Sequence, residues 1–138
     1  GWVTNTLLKN YFVSLETLML RRSFVQSLPY AFDPDFSHIA DFDLVVRTST
    51  VAKLVYVPNI LAKWRVHDAS GTWSSKKEFV IEKKRWILKN AKSPNFSSYQ
   101  EAIKRFSNET EVQWIKYLLA SNHIDEAPAG YPLPERWG

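Results

Sequence analysis

Hydrophobic positions along this chain follow two rhythms. Residues 2–13 carry apolar side chains at helical spacing and predict a short helix that turns near Asn10. Residues 16–22 predict a strand with Arg21 and Arg22 at its exposed end, and residues 23–28 a helix stopped by Pro29. Residues 41–52 set Leu44, Val45, Val51 and Ala52 against Asp43, Arg47 and Thr50, the pattern of a helix packed on one face. Residues 54–57 form a short apolar run ending at Pro58, and residues 60–66 a second strand that runs into a loop with Asp68, Ser70 and Gly71.

Beyond this the rhythm is helical. Ser75 with Glu78 has the spacing of a capping box ahead of a helix over residues 79–91. Its apolar face is Val80, Ile87 and Ala91 flanked by Phe79 and Trp86, with Lys76, Lys77, Lys83, Lys84 and Arg85 directed outward. Pro94 breaks the chain. A second helix carries Ala102, Ile103 and Phe106, and a third starts at Asn108 and Glu111 with Val112, Ile115, Leu118 and Leu119. Residues 127–138 hold three prolines and two glycines and predict an irregular tail.

With 138 residues, of which 45% are hydrophobic, the chain suits one globular unit with its own core. Six tryptophans fit a carbohydrate-handling surface and equally a well-filled core. Without cysteine there is no disulfide and no thiolate metal site. No apolar run approaches the roughly 20 residues of a membrane span and no signal peptide is visible, so a cytoplasmic or membrane-peripheral location is expected. The net charge of +4 divides as +1 over residues 1–72 and +3 over residues 73–138. A basic helix of this kind could grip nucleic acid or an anionic surface, or be a solvated face.

The chemistry concentrates around Ala40-Asp41-Phe42-Asp43-Leu44-Val45-Val46-Arg47. A carboxylate opening a helix is stabilised there by about 0.3–1 kcal/mol, a reading open to both Asp41 and Asp43. Asp43 also lies four residues before Arg47, the spacing of an intrahelical ion pair. Asp33-Pro34-Asp35 has the form of a metal-binding D-x-D but reads as a proline-opened turn. His67 has the chemistry of a metal ligand or a phosphate donor, Arg65 of a phosphate partner or strand cap, and Trp64 and Trp73 of sugar-stacking or core residues.

Asp41, Asp43, Leu44 and Arg47, followed by Tyr56-Val57-Pro58, Leu61-Ala62 and Arg65-Val66-His67, together resemble the acceptor-side signature of the family 2 glycosyltransferases with the GT-A fold. The resemblance implies an α+β fold: a partial GT-A half with a few strands over residues 1–72, a three-helix appendage over 73–126, and the tail over 127–138. It implies an inverting transfer of a sugar from a nucleotide-sugar donor to a hydroxyl acceptor, with Asp41 as base. It places His67 at a metal–diphosphate (manganese or magnesium), while Arg65, Trp64 and Trp73 stand as substrate-binding candidates on their own chemistry. Ala40 departs from the family, which has glutamate before the base. Nothing resembling the nucleotide-binding half is present, so the chain is expected to complete a site with that missing half, to be inactive alone, and to leave the edge at residues 16–22 open to self-association. The rival readings are a basic module for nucleic acid or anionic surfaces, with nucleic acid the less favoured partner, and a protein-docking domain.

Overall fold

The computed structural model of the chain describes residues 1–63 and 75–121. Its α-helices are α1 (Thr4–Lys9), α2 (Arg22–Ser27), α3 (Ala40–Ser49), α4 (Lys76–Asn90) and α5 (Gln100–Ser121), with 3₁₀ turns at Leu15–Thr17 and Pro94–Tyr99. Helix α3 is the centre. Phe42, Leu44, Val45 and Val46 are all buried, so the helix is covered on nearly every side. Its buried hydroxyls are spent on backbone carbonyls one turn back: Thr48 Oγ1 on Val45 (3.0 Å) and Ser49 Oγ on Val46 (2.8 Å). Thr4 ties α1 to the end of α3 by donating to the Ser49 carbonyl at 3.0 Å.

Aromatic rings make the joint between helices. Phe42 meets Trp86 of α4 edge-on at 5.2 Å and stacks on Phe106 of α5 at 5.1 Å. Trp86 in turn meets Phe96 at 5.3 Å and Phe106 at 5.8 Å. Leu7, Leu8, Phe36, Ile39 and Ile103 close the same cluster. Trp86 has no exposed surface, so this indole is a core residue; losing such a ring costs about 3–5 kcal/mol. A smaller cluster of Val80, Trp114 and Leu118 zips α4 to α5 farther out.

Two polar residues fix α3 against its neighbours. Asp43 is fully buried, with Oδ2 taking Arg47 Nη2 at 2.7 Å and Nε at 2.8 Å, and Oδ1 taking the Trp86 indole N–H at 3.0 Å. Glu82 of α4 caps the chain entering α3. It accepts the amides of Ser37 (3.1 Å), His38 (2.8 Å) and Ile39 (3.0 Å), while His38 Nδ1 lies 3.1 Å from Oε1. A carboxylate at this end also meets the positive pole of the helix.

The expected α+β half does not form: among the described residues there is no strand. Glu16 and Thr17 lie in the 3₁₀ turn and Arg22 opens α2, with irregular chain over residues 18–21 between them. The turn closes with Thr17 and Leu18 amides on Ser14 and Leu15 carbonyls at 2.9 and 3.1 Å. Residues 54–57 stay non-helical, and Leu54 exchanges backbone hydrogen bonds with Gly1 in both directions. A strand persists only where a neighbour satisfies its backbone, and one reciprocal exchange is too little. The second expected strand is likewise absent over residues 60–63, and its remainder lies outside the described residues. The three-helix appendage is corrected to α4 followed by a single 22-residue α5, which runs straight through Asn108. Ser75 makes no side-chain cap to α4.

The Glu82 cap generates a pH prediction. Burial alone would raise the Glu82 carboxyl, but the amides of Ser37, His38 and Ile39 and the His38 side chain together lower it from its ordinary 4.5. Its stabilisation is complete above that ordinary value and is lost as pH falls through the lower folded value. Glu82→Gln should cost about 1–3 kcal/mol at pH 7, with the gap to the parent chain narrowing below the ordinary value. Urea unfolding at a series of acid pH values measures both.

Candidate functional site

The end of α1, the start of α3 and the facing sides of α4 and α5 border a cleft of about 490 Å³, within the range of small-molecule sites. Leu7, Leu8, Phe42 and Phe106 form its apolar lining, with Phe79 beside them. Tyr11, His38, Asp41, Lys83, Glu109 and Gln113 supply polar groups. Asp41 lies in the first turn of α3 and is half-buried. Tyr11 donates its hydroxyl to Asp41 Oδ2 at 3.3 Å, and the Tyr11 ring meets Phe42 edge-on at 5.3 Å. Tyr11 therefore holds one of the two carboxylate oxygens of Asp41.

Across the cleft, Lys83 donates to Gln113 Oε1 at 2.9 Å. Burial lowers its pKa, and the negative charge of Glu109 partly offsets this. Lys83 was expected to point outward with the rest of the basic face; it lines the cleft instead. Lys84 and Arg85 of that face are engaged as well. Lys84 pairs with Glu111 at 2.9 Å and lies over the Trp114 ring, and Arg85 donates to the Asp35 carbonyl at 3.1 Å. Lys89 holds Asp33 at 2.6 Å and Asp35 at 2.7 Å, hydrogen bonds that raise its own pKa.

Asp33-Pro34-Asp35 is a turn. The Asp35 amide donates to Asp33 Oδ1 at 3.1 Å and the Phe36 amide to the Asp33 carbonyl at 3.1 Å. Asp33 is buried; burial raises its carboxyl, but hydrogen bonds from Lys89, the Asp35 amide and Tyr30 outweigh that and lower it. Asp43, two residues from Asp41, faces the core and not the cleft.

Of the residues singled out in the sequence, Asp41 lines the cleft. Trp64, Arg65, His67 and Trp73 lie outside the described residues. Among the described residues no three His, Cys, Asp or Glu side chains converge as metal ligands. No helix among them is long and apolar enough to cross a membrane. Sequence reasoning missed Tyr11, Lys83, Glu109 and Gln113, which reach the cleft from elements far apart in the chain. Compared with known proteins, the chain matches no family model, no curated sequence and no solved structure.

The Tyr11–Asp41 contact is testable through the phenol. Burial first, then the Asp41 charge, then the hydrogen bond to it, raise the Tyr11 pKa far above the ordinary tyrosine value of 10.0. Asp41→Asn should lower it without restoring that value, because burial persists. An NMR titration of the tyrosine ring Cζ follows this directly; a Tyr11 signal that ionises at the same pH in both chains would show that the phenol does not feel Asp41.

Proposed function

We propose that this chain forms the acceptor-side part of an inverting glycosyltransferase, with Asp41 as the general base. The acceptor hydroxyl oxygen attacks the anomeric carbon of a nucleotide-sugar, the bond to the diphosphate breaks, and the diphosphate leaves with the bonding electrons. The hydroxyl proton passes to Asp41. A carboxylate serves this step when it is fixed within hydrogen-bond reach of the hydroxyl.

The observation that carries the reading is the position of Asp41. The residue that the motif resemblance gives as base stands in the first turn of α3, on the edge of a cleft, with one oxygen held by Tyr11. An apolar lining rimmed by hydrogen-bonding groups suits a polyhydroxylated ring, whose faces are weakly apolar and whose edges are polar. Ala40, where the family has glutamate, leaves the mouth of α3 without its own acceptor; Glu82 supplies a carboxylate there from α4. The divalent metal and His67 belong to the same proposal, but the described residues hold no donor set for the metal, so no step is derived through it. The rival basic module draws little support from a helix whose Lys83, Lys84, Arg85 and Lys89 are engaged within the chain.

In an active polypeptide carrying this segment, Asp41→Asn should cut sugar transfer by roughly 10²–10⁴-fold and leave the KM for the donor close to unchanged. Transfer rates measured against donor concentration separate the two. An undiminished rate would remove Asp41 from the base position.

A further inference from the structure

Glu82 does more than close the entry to α3. While it accepts the amides of Ser37, His38 and Ile39, the His38 ring also brings Nδ1 to 3.1 Å from its Oε1. Burial pushes the Glu82 carboxyl up, but the hydrogen bonds from Ser37, His38 and Ile39 outweigh it, so the group is an ionised carboxylate and can only accept. The proton of the contact with His38 therefore sits on Nδ1. In the neutral ring this makes Nε2 an acceptor, and the bond to Glu82 turns it away from the carboxylate.

A second contact fixes the plane of the ring. Phe79, one turn before Glu82 on α4, meets the imidazole edge-on at 5.4 Å. The His38 side chain is still 28% exposed and lines the cleft beside Asp41. Its Nε2 has no hydrogen-bond partner among the described residues. An imidazole held in one tautomer, with its second nitrogen unspent, stands ready for a donor from outside the chain.

Two carboxylates, Asp41 and Glu109, line the same cleft, and the Tyr11 hydroxyl is already given to Asp41. A compound with several hydroxyl donors answers to these acceptors, and one built on a ring also suits the apolar side formed by Phe42, Phe79 and Phe106.

We infer that His38 Nε2 accepts a hydrogen bond from a second hydroxyl of the acceptor, besides the one that reacts at Asp41. The acceptor is then a sugar or a cyclic polyol and not a simple alcohol. This rests on the reading of the cleft as the acceptor site. His38 selects and orients the acceptor; it takes no proton in the transfer.

Nitrogen-15 NMR of the full chain tests this. In alkaline buffer the ring signals of His38 should show the proton on Nδ1. Methyl α-D-glucoside and myo-inositol should shift His38 Nε2 together with the Asp41 and Phe42 amides. The per-O-methylated glucoside, with the same ring and no O–H, should leave Nε2 where it was. His38→Asn has a side-chain amide that can replace Nδ1–H at Glu82 but ends short of Nε2. It should keep the parent's circular dichroism spectrum and weaken glucoside binding roughly 2–10-fold, the worth of one hydrogen bond. A proton found on Nε2, probes that shift the Asp41 and Phe42 amides but not Nε2, or a folded His38→Asn chain with undiminished affinity would overturn the inference and leave the acceptor reading standing. A cleft that responds to none of the probes would overturn both.

Discussion

A carboxylate with no exposed surface sits at the centre of this fold. Removing Asp43 from water is costly unless every oxygen finds a donor, and three donors converge on it: Arg47 twice and the Trp86 indole. Arg47 also donates to the Ala31 carbonyl at 3.0 Å and lies 4.6 Å from the Tyr30 ring centroid. One buried charge thus binds α3, α4 and the loop ahead of α3, and it sets the rotation of α3 about its axis. Two residues along a helix differ in direction by about 200°. With Asp43 locked toward Trp86, Asp41 is turned away from that face, to the α1 side, where Tyr11 and the cleft lie.

The same economy governs the rest of α4. Its polar side chains, which a helical projection would assign to solvent, are carried by packing into contact with the 33–39 loop and with α5. Glu82 spends its charge on three amides, Lys89 on Asp33 and Asp35, and Lys84 on Glu111. Lys83, Lys84, Arg85 and Lys89 of this helix are thereby tied to other parts of the chain. Charge-assisted hydrogen bonds from Glu82 and Lys89 hold the irregular approach to α3 in place, and Asp41 follows directly on that approach.

What was legible in the sequence was local. The i, i+4 spacing of Asp43 and Arg47 showed their pair, Pro34 showed its turn, and the apolar spacing showed α3 and α4. What was hidden depended on distant partners. The tie from Glu82 to residues 37–39 spans more than forty positions, and neither end bears a mark of it. The strands failed for the complementary reason: apolar runs such as residues 54–57 have the composition of a strand but find no ladder partner among the described residues beyond Gly1. Asn108 resembled a helix start, yet Phe106 and Thr110 on either side of it are buried in one continuous face, and packing carried α5 through. The aromatic content was legible as an amount, and only the fold assigned Trp86 to the core.

The cleft owes its shape to this arrangement, because α3 could roll or slide if its buried charge were unpaired. The most direct measurement is a double-mutant cycle on Asp43 and Arg47, read by urea unfolding of the parent chain, Asp43→Ala, Arg47→Ala and the double variant. Each single substitution should cost about 3–5 kcal/mol, since it strands a buried partner, and the double should cost less than their sum by at least about 1 kcal/mol. Single costs below about 1 kcal/mol that simply add, the behaviour of an exposed pair, would contradict the account.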